Sequence, residues 1–454
     1  MAVDNKKFAT EGNPNAFGAS NYIVPISLED YRRLSNFEMR ADGSSVTFAR
    51  LCDALVVGGG PAGLATGIAL RQRGMDVIVA DALVPPIDKA CGEGIMPDSR
   101  RELNLLGVDL TAEDGCEFSG IHFVNESRGY RNLASAAFGG GKGIGVRRVD
   151  LHRRLIDRAR DLGVGLEWGK RVVLGRGQIA TVGGEPYRYR YLIGADGEAS
   201  RVRNWAQLEA GSVNSERFGF RRHYRVTPWS DYVEVHWGSS CQVYVTPVGK
   251  NEVCFAAITR KRGMHFDDVL REFPWLRERL ADNEIAGRDR GAVTTTRRLS
   301  RVTRGNVALV GDASGSVDAI TGEGLALGFR QALLLADALE RDNLAAYEAG
   351  HRRTLKLPQR MAAIMMAMDR SDWFRDTVLG TLTVHPEVFA GMLAVHVGEQ
   401  TLTRFLAIDG FRLAGGFLLA GCGIFNQPAS HIPRKKPIAL SPGAVRPVSI
   451  QEVP

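Results

Sequence analysis

Cysteine is scarce in this 454-residue chain: six in all, Cys52, Cys91, Cys116, Cys241, Cys254 and Cys422. No two of them form a C-x-x-C pair, and none stands at metal-ligand spacing from the nine histidines. Neither a disulfide framework nor a zinc site is therefore expected, and no metal is assigned. Long apolar runs are missing as well; none approaches the roughly 18 residues that span a bilayer. The opening MAVDNKKFATEGNPNAFGASN has no apolar core behind a basic stretch, so a secretory signal is not expected and the cytoplasm is the expected compartment. Blocks of like charge are absent too. The net charge of +7 is scattered, which reads as a solvated surface and argues against a nucleic-acid partner. No repeat occurs at a solenoid-like period.

What is present is enough apolar content, 44% against 24% charged, for a globular protein too long for one core. Residues 1–50 are polar and lack periodicity, which suggests a mobile extension; Met39 offers an alternative translation start within it. From Cys52 the order is strand (CDALVVG), glycine turn, helix (AGLATGIALRQRG), strand (DVIVAD), the opening of a parallel α/β sheet. Alternating material follows between about 120 and 137, then a helical stretch from Leu151 and a strand ending in YLIGADG. Stretches between about Arg217 and Thr259 alternate with strand period and suggest an antiparallel sheet. The buried strand NVALVGD and a long helix return the chain to the first sheet. The expected division is 1–50 extension, 51–210 and 291–345 the two parts of an α/β domain, 211–290 antiparallel-sheet domain, 346–425 helical region and 426–454 loose tail.

GGGPAG at Gly58–Gly63 sets G-x-G-x-x-G between strand and helix. Gly58 permits the tight turn, Gly60 lets a pyrophosphate approach the backbone, and Gly63 lets the helix pack on the strand. Pro61 and Ala62 open that helix, whose free amides and positive dipole end suit a diphosphate. Asp81, closing the second strand, is placed to accept hydrogen bonds from ribose hydroxyls. The fingerprint alone serves NAD and FAD alike. A second such fingerprint is absent, and the glycine run from Gly139 to Gly145 has the wrong flanks and reads as a turn.

Two further stretches distinguish the cofactor. ADGEASRVR, with Asp196 and Gly197, resembles the D-G segment of FAD-dependent monooxygenases and their relatives, the geranylgeranyl reductases and flavin halogenases. GDASGSVDAITGEGLALGFRQA, from Gly311, resembles their G-D segment. The resemblance covers roughly Asp53 to Leu339 and implies an α/β fold: a Rossmann-type FAD-binding domain, an antiparallel β-sheet substrate domain and C-terminal helices. It further implies that Asp312 accepts from the ribityl chain, that Gly322 and Gly324 leave room for the isoalloxazine, and that the next helix aims its amides at the ring. Glu323 belongs to the same segment, where it and Asp312 are otherwise ordinary helix-start carboxylates. Arg148 resembles the arginine of the family's R-x-x-L segment, although Arg147 beside it leaves the register open. KACGEGIMP resembles a loop carried over the flavin, which makes Cys91 and Glu93 candidate catalytic residues; a buried structural thiol is the alternative for Cys91.

The resemblance leaves three functions to weigh. The first is an NAD(P)H-dependent monooxygenase that acts on an apolar or aromatic small molecule through a flavin C4a-hydroperoxide, with NADPH or NADH bound transiently. Against the phenol hydroxylases, Gly315 and Ala319 stand where their G-D segment has His and Pro. The second is a geranylgeranyl reductase-like enzyme that saturates carbon–carbon double bonds, favoured by KACG and GEG, although QVYVTPVG lacks that enzyme's aromatic-rich pattern. A halogenase is disfavoured because the six tryptophans include no W-x-W. The third, a flavin-binding sensor, calls for an output domain that the sequence does not display. The apolar stretches VFAGMLAVHVG and FRLAGGFLLAGCGIF are expected to pack as core or cap a pocket, with weak membrane-surface association as the alternative.

Overall fold

In a computed structural model, residues 50–125, 132–209, 211–412 and 415 are described. Met39, Cys422, the tail from 426 and nearly all of the 1–50 extension lie outside the described residues. The first sheet has eight strands, with the path Thr303–Arg304, Val307–Leu309, Glu185–Gly194, Arg50–Val57, Val77–Asp81, Gly165–Trp168. Its centre is parallel, with Ala54 beside both Tyr191 and Val77. That pairing explains why Ala54, Leu55 and Val56 are apolar without alternation: both faces of the strand are buried. Helix Pro61–Gln72 covers one face, and its small residues set how closely it lies. A Cβ on Gly67 would be 2.8 Å from a Val79 methyl, and one on Gly63 only 1.8 Å from the Gly58 carbonyl oxygen. Helix Gly324–Glu340 then packs alongside, Gly328 against Ala62. Burial of Leu64, Ile68, Phe329 and Leu335 contributes roughly 1.5–3 kcal/mol each.

The second sheet has seven strands in the order Arg290–Leu299, Gly211–Tyr224, Glu252–Thr259, Cys241–Gly249, Tyr232–Trp237, Gly120–Asn125, Asn132–Ala137. It therefore draws strands from both sides of the 211–290 stretch. One pair, Tyr232–Trp237 with Gly120–Asn125, is parallel; the others are antiparallel. Period-2 alternation divides its side chains between two compartments. Phe220, Tyr224, Val243 and Val245 pack on helices Phe266–Glu272 and Pro274–Leu280. Tyr244 and Thr246 face a cavity on the other side.

That cavity is roofed by helices Leu344–Arg370, Asp372–Val384 and Pro386–His396. None of the helices among the described residues is by itself long and apolar enough to cross a membrane. The apolar faces of these three are spent on one core with Val235, Trp237 and Ile320. A small third sheet, Gly94–Ile95, Gly143–Gly145 and Cys116–Phe118, supports the loop before Gly94. Here the glycine run departs from the expected turn: Gly143–Gly145 is a strand. Glycine is required because a Cβ on Gly143 would be 2.2 Å from the Phe118 ring and one on Gly145 would be 1.9 Å from the Pro247 carbonyl oxygen.

Candidate functional site

The G-x-G-x-x-G turn stands where strand Arg50–Val57 ends. Gly58 has φ +112 with the Ala195 carbonyl tight behind it, whereas Gly60 faces open space. The helix that follows has Pro61 at its first position, no side-chain cap and no acidic residue in its first turn, so its amides remain available to an anion. Asp81 Oδ2 accepts from the Gly59 amide at 2.7 Å and Oδ1 from the Leu83 amide at 2.8 Å. Each oxygen retains capacity for a further donor. His152, unmarked by any motif, hydrogen-bonds the Gly59 carbonyl at 2.8 Å. A carbonyl can only accept, so Nε2 carries the proton, and burial lowers the imidazole's pKa and favours its neutral form.

The three distant segments converge on this turn. Asp196 receives the amides of Arg201 and Val202 and so begins a short helix, while Gly197 (φ +79) leaves open space at the cavity wall. Arg203, buried, donates to the Ala313 and Glu198 carbonyls and pairs with Glu209 at 2.7 Å, which bolts the D-G segment to the G-D segment. Gly311 (φ +60) donates to the Gln331 side chain at 2.7 Å, and Asp312 beside it reaches Lys89 at 3.1 Å. Gly322 is left-handed, and neither it nor Gly324 has any atom within 4 Å of where a Cβ would stand. Helix Gly324–Glu340 begins there with no side-chain cap and no acid in its first turn. Glu323 is not part of the cavity wall; it lies behind, 3.8 Å from His396 Nδ1.

Arg147 and Arg148 separate cleanly. Arg147 pairs with Glu252 at 2.8 Å, whereas Arg148 lines the cavity; the buried Nε of each has no hydrogen-bond partner among the described residues. Cys91, half-buried, also lines the cavity, and its sulfur accepts from the Glu93 amide at 3.4 Å. Glu93 (φ +59) is buried in a network that motifs do not disclose. One oxygen accepts from Arg221 at 2.6 Å and from the Arg148 amide at 3.0 Å; the other meets His223 at 2.6 Å. Arg221 also clasps Asp88 through two hydrogen bonds, 3.1 and 3.0 Å. Burial would raise the Glu93 pKa, but the His223 hydrogen bond, with the His223 and Arg221 charges, holds it below the ordinary carboxylate value. Glu93, His223 and Cys254 bring ligand-type atoms within 4.8 Å of one another, a grouping that chain spacing did not reveal. Arg221 already supplies a cation to that carboxylate. Arg217 makes a second buried cluster, 2.9 Å from Asp318 and 3.0 Å from Asp369. Arg217 and Arg221, four residues apart, fall on the same face of strand Gly211–Tyr224, the one signal that could have found them.

Gly58, Gly60, Asp81, Cys91, Glu93, Arg148, Asp196, Asp312, Gly322 and Gly324 border one cavity of about 750 Å³. It runs from Gly58, Gly60 and Asp81, past Asp312 and Gly322, to a compartment walled by Phe123, Val235, Met365, Met368, Phe389 and Met392. A glycine cradle open to space, two uncapped helix starts and an orphaned arginine nitrogen fit a long anionic dinucleotide with a flat head.

Comparison with known proteins agrees. Residues 51–262 match the FAD binding domain family. The dialkyldecalin synthase of Streptomyces rugosporus is 26% identical over 62% of this chain, which spans 63% of that protein's length. The menaquinone reductase of Mycobacterium tuberculosis is 27% identical over 64% of this chain and 78% of its own. A flavoprotein/dehydrogenase structure from Cytophaga hutchinsonii superposes with a TM-score of 0.68 over 82% of this chain and all of that one; at 16% identity this is a likeness of fold. Residues 51–262 thus carry an FAD binding domain, and most of the chain shares its fold with a solved flavoprotein.

Proposed function

We propose that the protein is a monooxygenase that takes electrons from transiently bound NADPH or NADH and inserts one atom of O2 into an apolar or aromatic small molecule. The observation that carries this reading is the continuity of the cavity between the dinucleotide cradle and the methionine- and phenylalanine-walled compartment. Bound in the cradle, FAD supplies the redox and oxygen-activating chemistry that side chains do not offer.

The chain's own residues bind, orient and exclude water. First-turn amides of helix Pro61–Gln72 would hold the diphosphate, and Asp81 and Asp312, both on the cavity wall, would accept from its sugar hydroxyls. Gly322 and Gly324 admit a flat ring against the backbone, and the uncapped start of helix Gly324–Glu340 favours negative charge on the ring's near edge. The compartment's apolar walls dry the space in which a substrate would meet that ring. Tyr244 does not intrude on it, because its hydroxyl is donated to the Ile320 carbonyl.

A second reading, saturation of a carbon–carbon double bond, is favoured by Cys91 on the cavity wall and by the likeness to a menaquinone reductase. Isotopically labelled O2, supplied with NADPH or NADH and a panel of apolar aromatics and polyprenyl compounds, separates the two. Label in the product supports the first reading. Anaerobic saturation without incorporated label overturns it in favour of the second.

A further inference from the structure

We infer that His396 is the proton-transfer residue of the substrate compartment, positioned by Glu323, and that it selects an apolar substrate bearing one phenolic or enolic hydroxyl. The inference rests on the reading above in taking that compartment as the substrate's place.

Three observations carry it. First, His396 is the one ionisable side chain that the helical roof gives the cavity; helices Leu344–Arg370, Asp372–Val384 and Pro386–His396 otherwise contribute methionines and branched or aromatic apolar residues. On the facing sheet wall, Tyr244 and Thr246 spend their hydroxyls on the Ile320 and Gly92 carbonyls. Among the side chains of the helical roof, a substrate hydroxyl therefore finds His396 as its ionisable partner. Second, the imidazole is backed by a carboxyl. Glu323 Oε1 lies 3.8 Å from His396 Nδ1, and Glu323 Oε2 is buried with no hydrogen-bond partner among the described residues. Third, that carboxyl belongs to a buried group with surplus negative charge. Asp98, Glu102 and Glu323 share Arg330, which ion-pairs with the first two. One oxygen each of Asp98 and Glu102 is likewise buried without a partner.

Three carboxyls around one guanidinium cannot all ionise at low cost. Burial pushes Glu102 up to about 7 against the pull of Arg330, with Asp98 adding to the rise and Arg101 opposing it. Burial also raises Glu323, which faces His396, Arg330, Asp98 and the Thr321 hydroxyl.

The step balances simply. The substrate O–H bond breaks, its electron pair stays on oxygen, and the proton goes to an imidazole nitrogen of His396. Glu323, held against the resulting imidazolium, offsets its charge. The ring or enol so ionised is richer in electrons and reacts more readily with an electrophilic oxygen donor.

The test uses flavin-loaded protein and needs no turnover. 2-Naphthol and naphthalene are titrated in; perturbation of the flavin spectrum reports binding, and the naphtholate band reports ionisation as pH is varied. Bound 2-naphthol is expected to ionise at least one pH unit below the free compound, a tenfold gain. His396→Gln is expected to abolish that shift and Glu323→Gln to reduce it severalfold, with naphthalene binding and flavin content kept in both. An unchanged shift in His396→Gln overturns the assignment, and an unchanged shift in Glu323→Gln removes the positioning role. Failure of wild-type protein to bind either compound overturns the substrate class. If labelled oxygen is not incorporated but the naphthol shift stands, the monooxygenase reading falls alone; if the shift is absent while label is incorporated, the His396 assignment falls alone.

Discussion

Lys89 Nζ lies 3.1 Å from Asp312 Oδ2, across 223 residues of chain. This contact ties the loop after the second strand to the segment that closes the cradle. Both side chains are about two-fifths exposed, so the pair contributes at most about 1 kcal/mol to stability. Its consequence is placement. Lys89→Met is expected to change the denaturation free energy by less than about 1 kcal/mol while FAD binds severalfold more weakly. Urea unfolding and a fluorescence titration with FAD measure the two effects. Unchanged affinity with a large stability loss would contradict this role.

The glycines of the fingerprint should separate into two kinds. Gly60 has φ −70 and ψ 177 and open space at its Cβ position, so Gly60→Val is expected to fold normally and to lose FAD at least tenfold, about 1.4 kcal/mol. In Gly63→Ala the added Cβ would be 1.8 Å from the Gly58 carbonyl oxygen, and overpacking of this kind costs roughly 1–3 kcal/mol or more. Thermal unfolding of the flavin-free proteins should therefore be unchanged for the first and lowered for the second.

The Glu93 network predicts an acid sensitivity of definite sign. Its carboxyl is held below the ordinary value near 4.5 by His223 and Arg221. The stability it contributes is complete above that value and is lost as pH falls through the lower folded-state pKa. Glu93→Gln should accordingly be less stable than wild type near neutrality, by roughly 3–5 kcal/mol for a broken buried pair, and the gap should close below pH 4.5. Denaturant midpoints for the two proteins across acid pH test this; a gap that does not vary with pH would refute it.

Glu102 carries the opposite sign. Its pKa is raised from 4.5 to about 7, so its contribution is greatest below 4.5 and declines as pH rises toward 7. Glu102→Gln should flatten the fall in stability between those values, by an amount on the order of 3 kcal/mol. The same denaturant series, extended to pH 8, measures it.

Much of this arrangement is legible along the chain because its signals are local. Strand, glycine turn, helix and Asp81 lie in one short run, and the open Cβ space at Gly60, Gly322 and Gly324 follows from which glycines must admit a ligand. What escapes reading depends on partners far away in sequence. Arg147 is set apart from Arg148 by Glu252, 105 residues on. Glu93 meets His223 across 130 residues. Gly143–Gly145 is a strand with no side-chain alternation to announce it, and its need for glycine comes from Phe118 and Pro247. His396 closes an apolar helix that reads as core, and its importance rests on Glu323 behind it.

The glycine cradle between Gly58 and Gly324 is the proposed seat of FAD. Denaturing the purified protein and quantifying released FAD tests it most directly. One FAD per chain in wild type, falling below a tenth of that in Gly60→Val with the fold intact, is the predicted result. A colourless wild-type protein that releases no flavin and takes up none on reconstitution would contradict it.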